Sequence, residues 1–464
     1  MRGRRARVEV WYNNVPFNGE LGADLLSFEY VESAADRCDS VRITFDARDP
    51  KWLGGWMPQR GAALRARIVG EDWDGEGVRR ELDCGTFVLD TVRYSDTPTV
   101  MELEGTSKPG NEDFSEQERN VVWQNTSVKR IAQEIAQRYG LGFGYEGEDY
   151  EIEADEQEAT DSAYLQDLCG RYGLCLKAFN NRLWVYDREE FKSRRAVADF
   201  DRKHLTQGSL QYEETIAGLF TAGVFRYTDS GKNLDYECSI GEGNTSHTKN
   251  VNQKCSSLYD ASVQLCAALN NANHGKISLG FALMGTWQVS AGDNIRLTGY
   301  GPGLTTGING KYFVDSITHR VDRSGFVSRF ECSGIRDPFQ HWNVGGEIRV
   351  HEESKKKGTS ADGSAGAGSA GGYTSSYETT SPAAKAQRDW MKTFGGQQVV
   401  LDGADVYLSA AAEKPVSRKS GTYYLYDGAM VNGRYRISNA PERCGRQPPA
   451  KYGPYWVKAS EMKR

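Results

Sequence analysis

The sequence predicts a mainly β, α+β chain: two related β-barrels with a small helix–helix–hairpin insert, then a flexible linker and a third, smaller barrel. Three observations predict this. Short runs rich in β-branched and aromatic residues, bounded by Gly, Pro and Asp, recur along the chain, as in NIRLTG, KYFVDSITHRV and FVSRFECSG. Two sets of these runs echo each other. Helical periodicity is confined to a few short stretches.

The echo joins residues 56–105 to 287–334. Trp56 and Gly61 match Trp287 and Gly292, and Leu64 matches Ile295. Phe87, Val88, Leu89, Asp90, Thr91 and Val92 match Tyr312, Phe313, Val314, Asp315, Ser316 and Ile317. Met101, Glu102, Leu103 and Gly105 match Phe330, Glu331, Cys332 and Gly334. Two degenerate copies this far apart do not make a solenoid. They read as one small β-barrel used twice.

In order, residues 1–105 carry strands VEVWY, LLSFEYVES, SVRITFDARD and LDCGTFVLDTVRY. In the third, Val41, Ile43 and Phe45 alternate with Arg42, Thr44 and Asp46, the period of a sheet with one wet face. Residues 106–200 form the insert. Val128, Ile131, Ala132, Ile135, Ala136 and Tyr139 make a helical face, with Thr126 or Ser127 as N-cap and Gly140 as the stop. A second helix runs from about Asp161 to Tyr172, and an Asn180-Asn181 hairpin follows. Residues 201–348 hold the second barrel and a helix from about Ser256 to Asn271. Residues 349–382 are a Gly/Ser/Ala-rich linker that can bury almost nothing. Residues 383–464 begin with a short helix, AAKAQRDWMKTF. Five short strands follow, which fit an SH3-like barrel.

No known catalytic pattern emerges. The six histidines form no HExxH or HxH, and there is no GxSxG, Walker A, or GxGxxG after a strand. His319 reads as a sheet residue. The Gly-rich 299–307 joins strands and opens no helix, so it reads as a hairpin loop rather than a phosphate cradle. The acidic run 146–161 lacks the sixth-position Gly and terminal Glu of an EF-hand loop and reads as a solvated, partly strand-forming loop. The nine cysteines are odd in number, lack CxxC spacing and mostly sit among apolar neighbours, as reduced core thiols do. No catalytic residue, cofactor or metal site is expected. No run approaches the roughly 18 apolar residues of a membrane span, and the basic N-terminus has no apolar core behind it.

Charge is uneven. Residues 383–464 carry 14 Lys and Arg against 7 Asp and Glu, a net +7, which leaves −13 on residues 1–382. In the C-terminal domain Tyr424, Tyr426 and Trp456, with Tyr423 beside them, interleave with Arg434, Arg436, Arg443 and Arg446. This set suits a glycan or an acidic protein face; strand alternation also allows half of the aromatics to be core. Tyr424, Tyr426, Arg434, Arg436 and Trp456 are the candidate contact residues.

Two stretches resemble a known family. One is LLSFEYVESAADRCDSVRITFDARDPKWLGGWMPQRGAALRARI with LDCGTFVLDTVRYS. The other is GTWQVSAGDNIRLTGYG with INGKYFVDSITHRVDRSGFVSRFECSG. Both resemble the late control protein D family of contractile-tailed phages, over about residues 1–345. GTYYLYDGAMVNGRYRISN resembles an SH3-like domain attached to such hubs. The resemblance implies tube-protein-like barrels in a non-enzymatic baseplate hub of a virion or tail-like particle, assembled in the host bacterial cytoplasm. It implies a homotrimer whose six barrels form a pseudo-sixfold ring between the tail tube protein and the central spike protein. Tape measure and other baseplate proteins, and peptidoglycan or another cell-wall glycan, are further partners it suggests. DNA is expected to pass through the lumen of such a ring without specific binding, and no membrane anchor is expected. The alternative is a tail-tip hub that binds or degrades cell wall through its C-terminal domain.

Overall fold

The computed structural model describes residues 3–16, 23–107, 113–241, 247–301, 303, 307–350, 398–407, 415, 417–431, 433–439 and 455–463. The linker stretch 353–382 and the expected helix AAKAQRDWMKTF lie outside them. So do Cys444, Arg443, Arg446 and part of the Gly-rich loop at 299–307. The chain divides into two units, one of residues 1–223, 241–251 and 263–339, the other of 224–240, 252–262 and 340–464.

In the first unit, the leading copy comprises β1 (Arg5–Tyr12), β2 (Leu25–Ser33), β3 (Ser40–Asp46), β4 (Ala63–Glu71), β5 (Arg79–Asp96) and β6 (Thr99–Thr106). Alternation works as expected on β3, where Val41, Ile43 and Phe45 are buried and Arg42 is exposed. These residues join Phe28, Leu64, Ile68, Phe87, Leu89 and Leu103 in one core.

An insert follows: β7 (Glu118–Ser127), α1 (Val128–Arg138), β8 (Gly142–Glu146), β9 (Glu151–Thr160), α2 (Asp161–Arg171), β10 (Leu174–Phe179) and β11 (Arg182–Asp187). Ser127 caps α1, its Oγ accepting from the Arg130 amide, and Thr160 caps α2 in the same way through the Ala163 amide. Asn180 and Asn181 both take positive φ in the β10–β11 hairpin.

The trailing copy comprises β12 (Ala198–Asp201), β13 (Gln211–Glu214), α3 (Leu258–Asn273), β14 (Ile277–Met284), β15 (Asn294–Thr298), β16 (Gly310–Asp322) and β17 (Gly325–Gly334). Its core holds Leu279, Phe281, Ile295, Leu297, Val314, Ile317 and Phe330.

The two copies share a topology. The leading one runs β2-β3-β6-β5-β4-β1 and the trailing one β13-β14-β17-β16-β15-β12. Both carry a β-bulge at the matched aspartate: the register shifts between Leu89 and Thr91, and between Val314 and Ser316. Gly61 donates to the Leu89 carbonyl and Gly292 to the Val314 carbonyl, both at 2.8 Å and both with positive φ. The last β1-type strand differs in direction, β1 being antiparallel to β4 and β12 parallel to β15.

The structure adds one feature to the sequence reading and corrects it twice. The two copies share one 13-stranded sheet, joined where β16 pairs with β2. β16 has 13 residues and β15 only 5, so half of β16 is left for another strand. The third-strand match also slips by two. Thr91 faces Glu104 and Ser316 faces Glu331, so Glu104 corresponds to Glu331 and Leu103 to Phe330. A two-residue slip keeps every side chain on its face, so hydrophobic pattern fits either alignment. Finally, much of the acidic run is strand, β9, paired along its length with β7. Its carboxylates have partners on the inner face: Asp155 meets Arg171 at 2.5 Å, and the buried Asp161 that follows meets Arg138 at 2.7 Å.

In the second unit, strands Leu234–Ile240 and Gly345–Val350 pair antiparallel. Gly346 is required there, since a Cβ would lie 2.6 Å from that of Cys238. A small closed barrel is built from β18 (Gln398–Tyr407), β19 (Ser417–Val431), β20 (Arg434–Ser438), β21 (Tyr455–Lys458) and β22 (Met462–Lys463), in order β19-β20-β21-β18-β22 with β18 also paired to β19. Val399, Leu401, Val406, Leu425, Tyr435, Ile437 and Val457 fill it.

Candidate assembly surfaces

The seam between the two half-barrels is built from residues of opposite character. β16 and β2 pair from Ser316 with Ser33 to Asp322 with Ser27, and His319 stands opposite Tyr30. The two rings stack, 5.8 Å apart and 12° from parallel. His319 is fully buried, its Nδ1 is 2.9 Å from the Ser328 hydroxyl, and desolvation lowers its pKa to about 4. It is a neutral core histidine, on the strand where the sequence placed it.

Beside it lies a buried ionic cluster. Asp39 accepts from the Ser33 amide at 2.9 Å and from the Tyr30 hydroxyl at 3.3 Å. Lys177, on β10, sits 3.5 Å from both Asp39 and Glu32. Burial raises the Asp39 pKa above the ordinary carboxylate value against the pull of Lys177, and raises that of Glu32 to about 7. One ammonium thus tethers the insert to two carboxylates of the leading copy. Trp287, the first residue of the trailing repeat, packs against the leading copy's core, its ring centre 5.3 Å from that of Trp73 and 4.9 Å from that of Phe326 on β17 of its own copy. Gly70 makes room, because a Cβ there would be 2.5 Å from the Trp287 ring.

Among the described residues, one grouping suggests a nucleophile but does not form a relay. Ser333 donates to Asp315, and His274 Nε2 is 2.8 Å from the same carboxylate and 3.5 Å from the Ser333 hydroxyl. A serine–histidine–aspartate relay needs the imidazole between the other two, one nitrogen to each. Here a single nitrogen faces both, and the aspartate holds the serine directly. Among the described residues no three His, Cys, Asp or Glu side chains form a metal-holding group. The eight described cysteines are unbridged, seven of them buried. Burial pushes the thiols of Cys84, Cys169, Cys175, Cys238, Cys255 and Cys332 up, away from the reactive thiolate.

Four of the five C-terminal candidates come together on the barrel face opposite its core. Tyr407 and Trp456 stand opposite each other on β18 and β21, and Trp456 is opposite Arg436. The Arg436 guanidinium lies 4.7 Å from the Trp456 ring and 5.6 Å from that of Tyr426. Arg434 lies 3.7 Å from the Tyr407 ring, with Lys458 5.7 Å away on the same ring. The aromatics are not exposed platforms: Tyr407, Tyr426 and Trp456 are buried. Arg436 Nε is buried and unbonded. Tyr424 is half-buried, with no ring or cation contact to the cluster among the described residues. Tyr407 and Lys458 were missed by sequence reading; the two-residue period from Trp456 to Lys458 was the available signal.

Solved structures bear on the whole arrangement. A tail protein from Neisseria meningitidis matches at a TM-score of 0.53 and 13% identity, over 71% of this chain and 97% of that one. A prophage tail protein from Shewanella oneidensis matches at 0.53 and 10% identity, over 70% of this chain and 98% of that one. This chain has the fold of phage tail proteins. No family model and no curated protein matches it. Both tail proteins are spanned nearly whole while part of this chain is left over, so this chain adds segments to the shared tail-protein fold.

Proposed function

We propose that this chain is the structural hub of a contractile phage tail or tail-like particle. Three copies form a pseudo-sixfold ring that joins the tail tube to the central spike, within a virion or particle baseplate built in the host cytoplasm. The observation that carries this reading is the duplication itself. One chain holds two copies of a curved sheet with the same strand order and the same bulge. Three such chains present six similar elements on one face and three chains on the other, which lets a sixfold tube meet a threefold spike. The tail-protein fold supports it. The −13 charge of residues 1–382 suits a lumen through which DNA slides unbound, with the tape measure protein as a further lumen partner. No cofactor enters this reading, and the hub acts by assembly rather than catalysis.

Native mass measurement of the purified chain, alone and with the spike protein, tests it. A mass of three chains is expected. A chain that stays monomeric in both samples overturns the ring.

A second reading concerns the C-terminal barrel, which we take as an SH3-like module. Arg436, with an unbonded Nε between Tyr426 and Trp456, favours an acidic or glycan partner on that face. A neighbouring baseplate or spike protein is preferred over cell-wall glycan. Release of fragments from peptidoglycan by the purified chain would replace this with a cell-wall-degrading hub.

A further inference from the structure

The seam inside one chain has a vacant counterpart at each of its two ends. On β16, residues 316–322 lie beyond the reach of β15 and take β2 as partner. On β5, the matched residues are Thr91–Asp96. β4 pairs with β5 only as far as Val88, and the β4-side edge of Thr91–Asp96 has no strand partner among the described residues. At the other end, β13 is the terminal strand of the sheet and is the counterpart of β2. We infer that the Thr91–Asp96 edge of one copy pairs antiparallel with the outer edge of β13 in a second copy, in the register that β16 and β2 adopt within the chain. This rests on the ring reading above and specifies its contact.

Register follows from the bulges. Leu89 faces Gly105 and Val314 faces Cys332, so Gly105 corresponds to Cys332. Gly105 faces Val41 and Cys332 faces Leu279; Val41 faces Tyr30 and Leu279 faces Tyr212. Tyr212 is therefore the counterpart of Tyr30, and Glu213 that of Val31. On the other strand, Tyr94 is the counterpart of His319 and Arg93 that of Thr318. Copying the internal pairs His319–Tyr30 and Thr318–Val31 puts Tyr94 opposite Tyr212 of the second copy, and Arg93 opposite its Glu213. An aromatic pair and an ion pair result, both favourable cross-strand neighbours.

Burial supports the same seam. Ile317, His319 and Val321 are buried, whereas their counterparts Val92, Tyr94 and Asp96 are half-buried or exposed. Trp287 packs into the leading copy, whereas its counterpart Trp56 is 38% exposed. The Asp315 carbonyl accepts from the Ala34 amide at 2.8 Å. The counterpart of Ala34 is Ile216, whose exposure of 73% fits an apolar side chain awaiting a neighbour. An unpaired strand edge flanked by apolar side chains is also a liability for a chain that stays alone.

The test is the full chain carrying Tyr94→Cys with Tyr212→Cys, oxidised and run beside native mass measurement. Directly opposed strand residues are close enough for a disulfide. Disulfide-linked species of two and three chains are expected from the double variant and not from either single one. A three-chain native mass with no such linkage overturns the seam and leaves the ring standing. A monomer overturns both. Should the double variant fail to fold, Arg93→Glu should weaken the three-chain species and Glu213→Arg in the same chain should restore it; no restoration overturns the seam.

Discussion

At the residue scale the seam should report itself through pH. Burial raises the pKa of Glu32 from 4.5 to about 7, so the native fold holds that proton more tightly than the unfolded chain does. Its contribution favours folding below about pH 4.5 and is lost as pH rises through about 7, for a total of roughly 3 kcal/mol. His319 works in the other direction. Its pKa falls from 6.5 to about 4, so its contribution is present above pH 6.5 and is lost as pH falls through 4. Urea midpoints between pH 4 and 8 should therefore flatten on the alkaline side in Glu32→Gln and on the acid side in His319→Gln. An unchanged profile in Glu32→Gln would show that Lys177 already holds the carboxylate ionised. The sheet role of His319 was legible from its strand. The triad of Glu32, Asp39 and Lys177 was not, because residues so far apart meet only once the insert has folded back.

At the element scale, legibility followed the strength of the local period. α1 began after Ser127 and stopped before Gly140 as its cap and glycine indicated, and α2 spanned the expected stretch, since a buried stripe, an N-cap oxygen and a positive-φ glycine all act within one or two turns. β9 was harder, because its inward positions include Asp155 and Gln157 rather than apolar residues, tolerable because Arg171 and Tyr164 donate to Asp155 while Gln157 accepts from Trp123 and donates to Asp161. The matched bulge was foreshadowed by Asp90 and Asp315, but the two-residue slip after it lay below the resolution of any face pattern. Trp287 is the clearest case of an element whose job the repeat alone conceals. It sits at a matched position yet packs against the other copy. Trp287→Ala removes a large ring from a tight niche and should cost about 3 kcal/mol. Gly70→Val forces that ring out and should lower stability comparably. Thermal unfolding checks both, and a Gly70→Val chain as stable as the parent would mean that the ring does not occupy the niche over β4.

At the scale of the whole molecule, every edge needed for a ring lies between Leu25 and Gly334, and the C-terminal barrel has a complete core of its own. Assembly and recognition should then separate. A chain ending at Val350 should keep the native mass of three copies, while losing whatever the net +7 segment binds. Within the full chain, Arg436→Gln leaves the core residues Val406, Ile437 and Val457 untouched but removes the cation between Tyr426 and Trp456. It should leave the mass unchanged and weaken retention on spike protein or on purified cell wall, with the loser of those two assays identifying which surface the barrel does not serve. The opposite charges of the two segments sharpen the expectation: retention through an arginine face should fall steeply as salt rises, whereas a ring held mainly by strand pairing, with one ion pair per seam, should weaken far less. If the chain ending at Val350 were monomeric, the C-terminal segment would be holding the ring together, and the duplication would no longer suffice as the source of its symmetry.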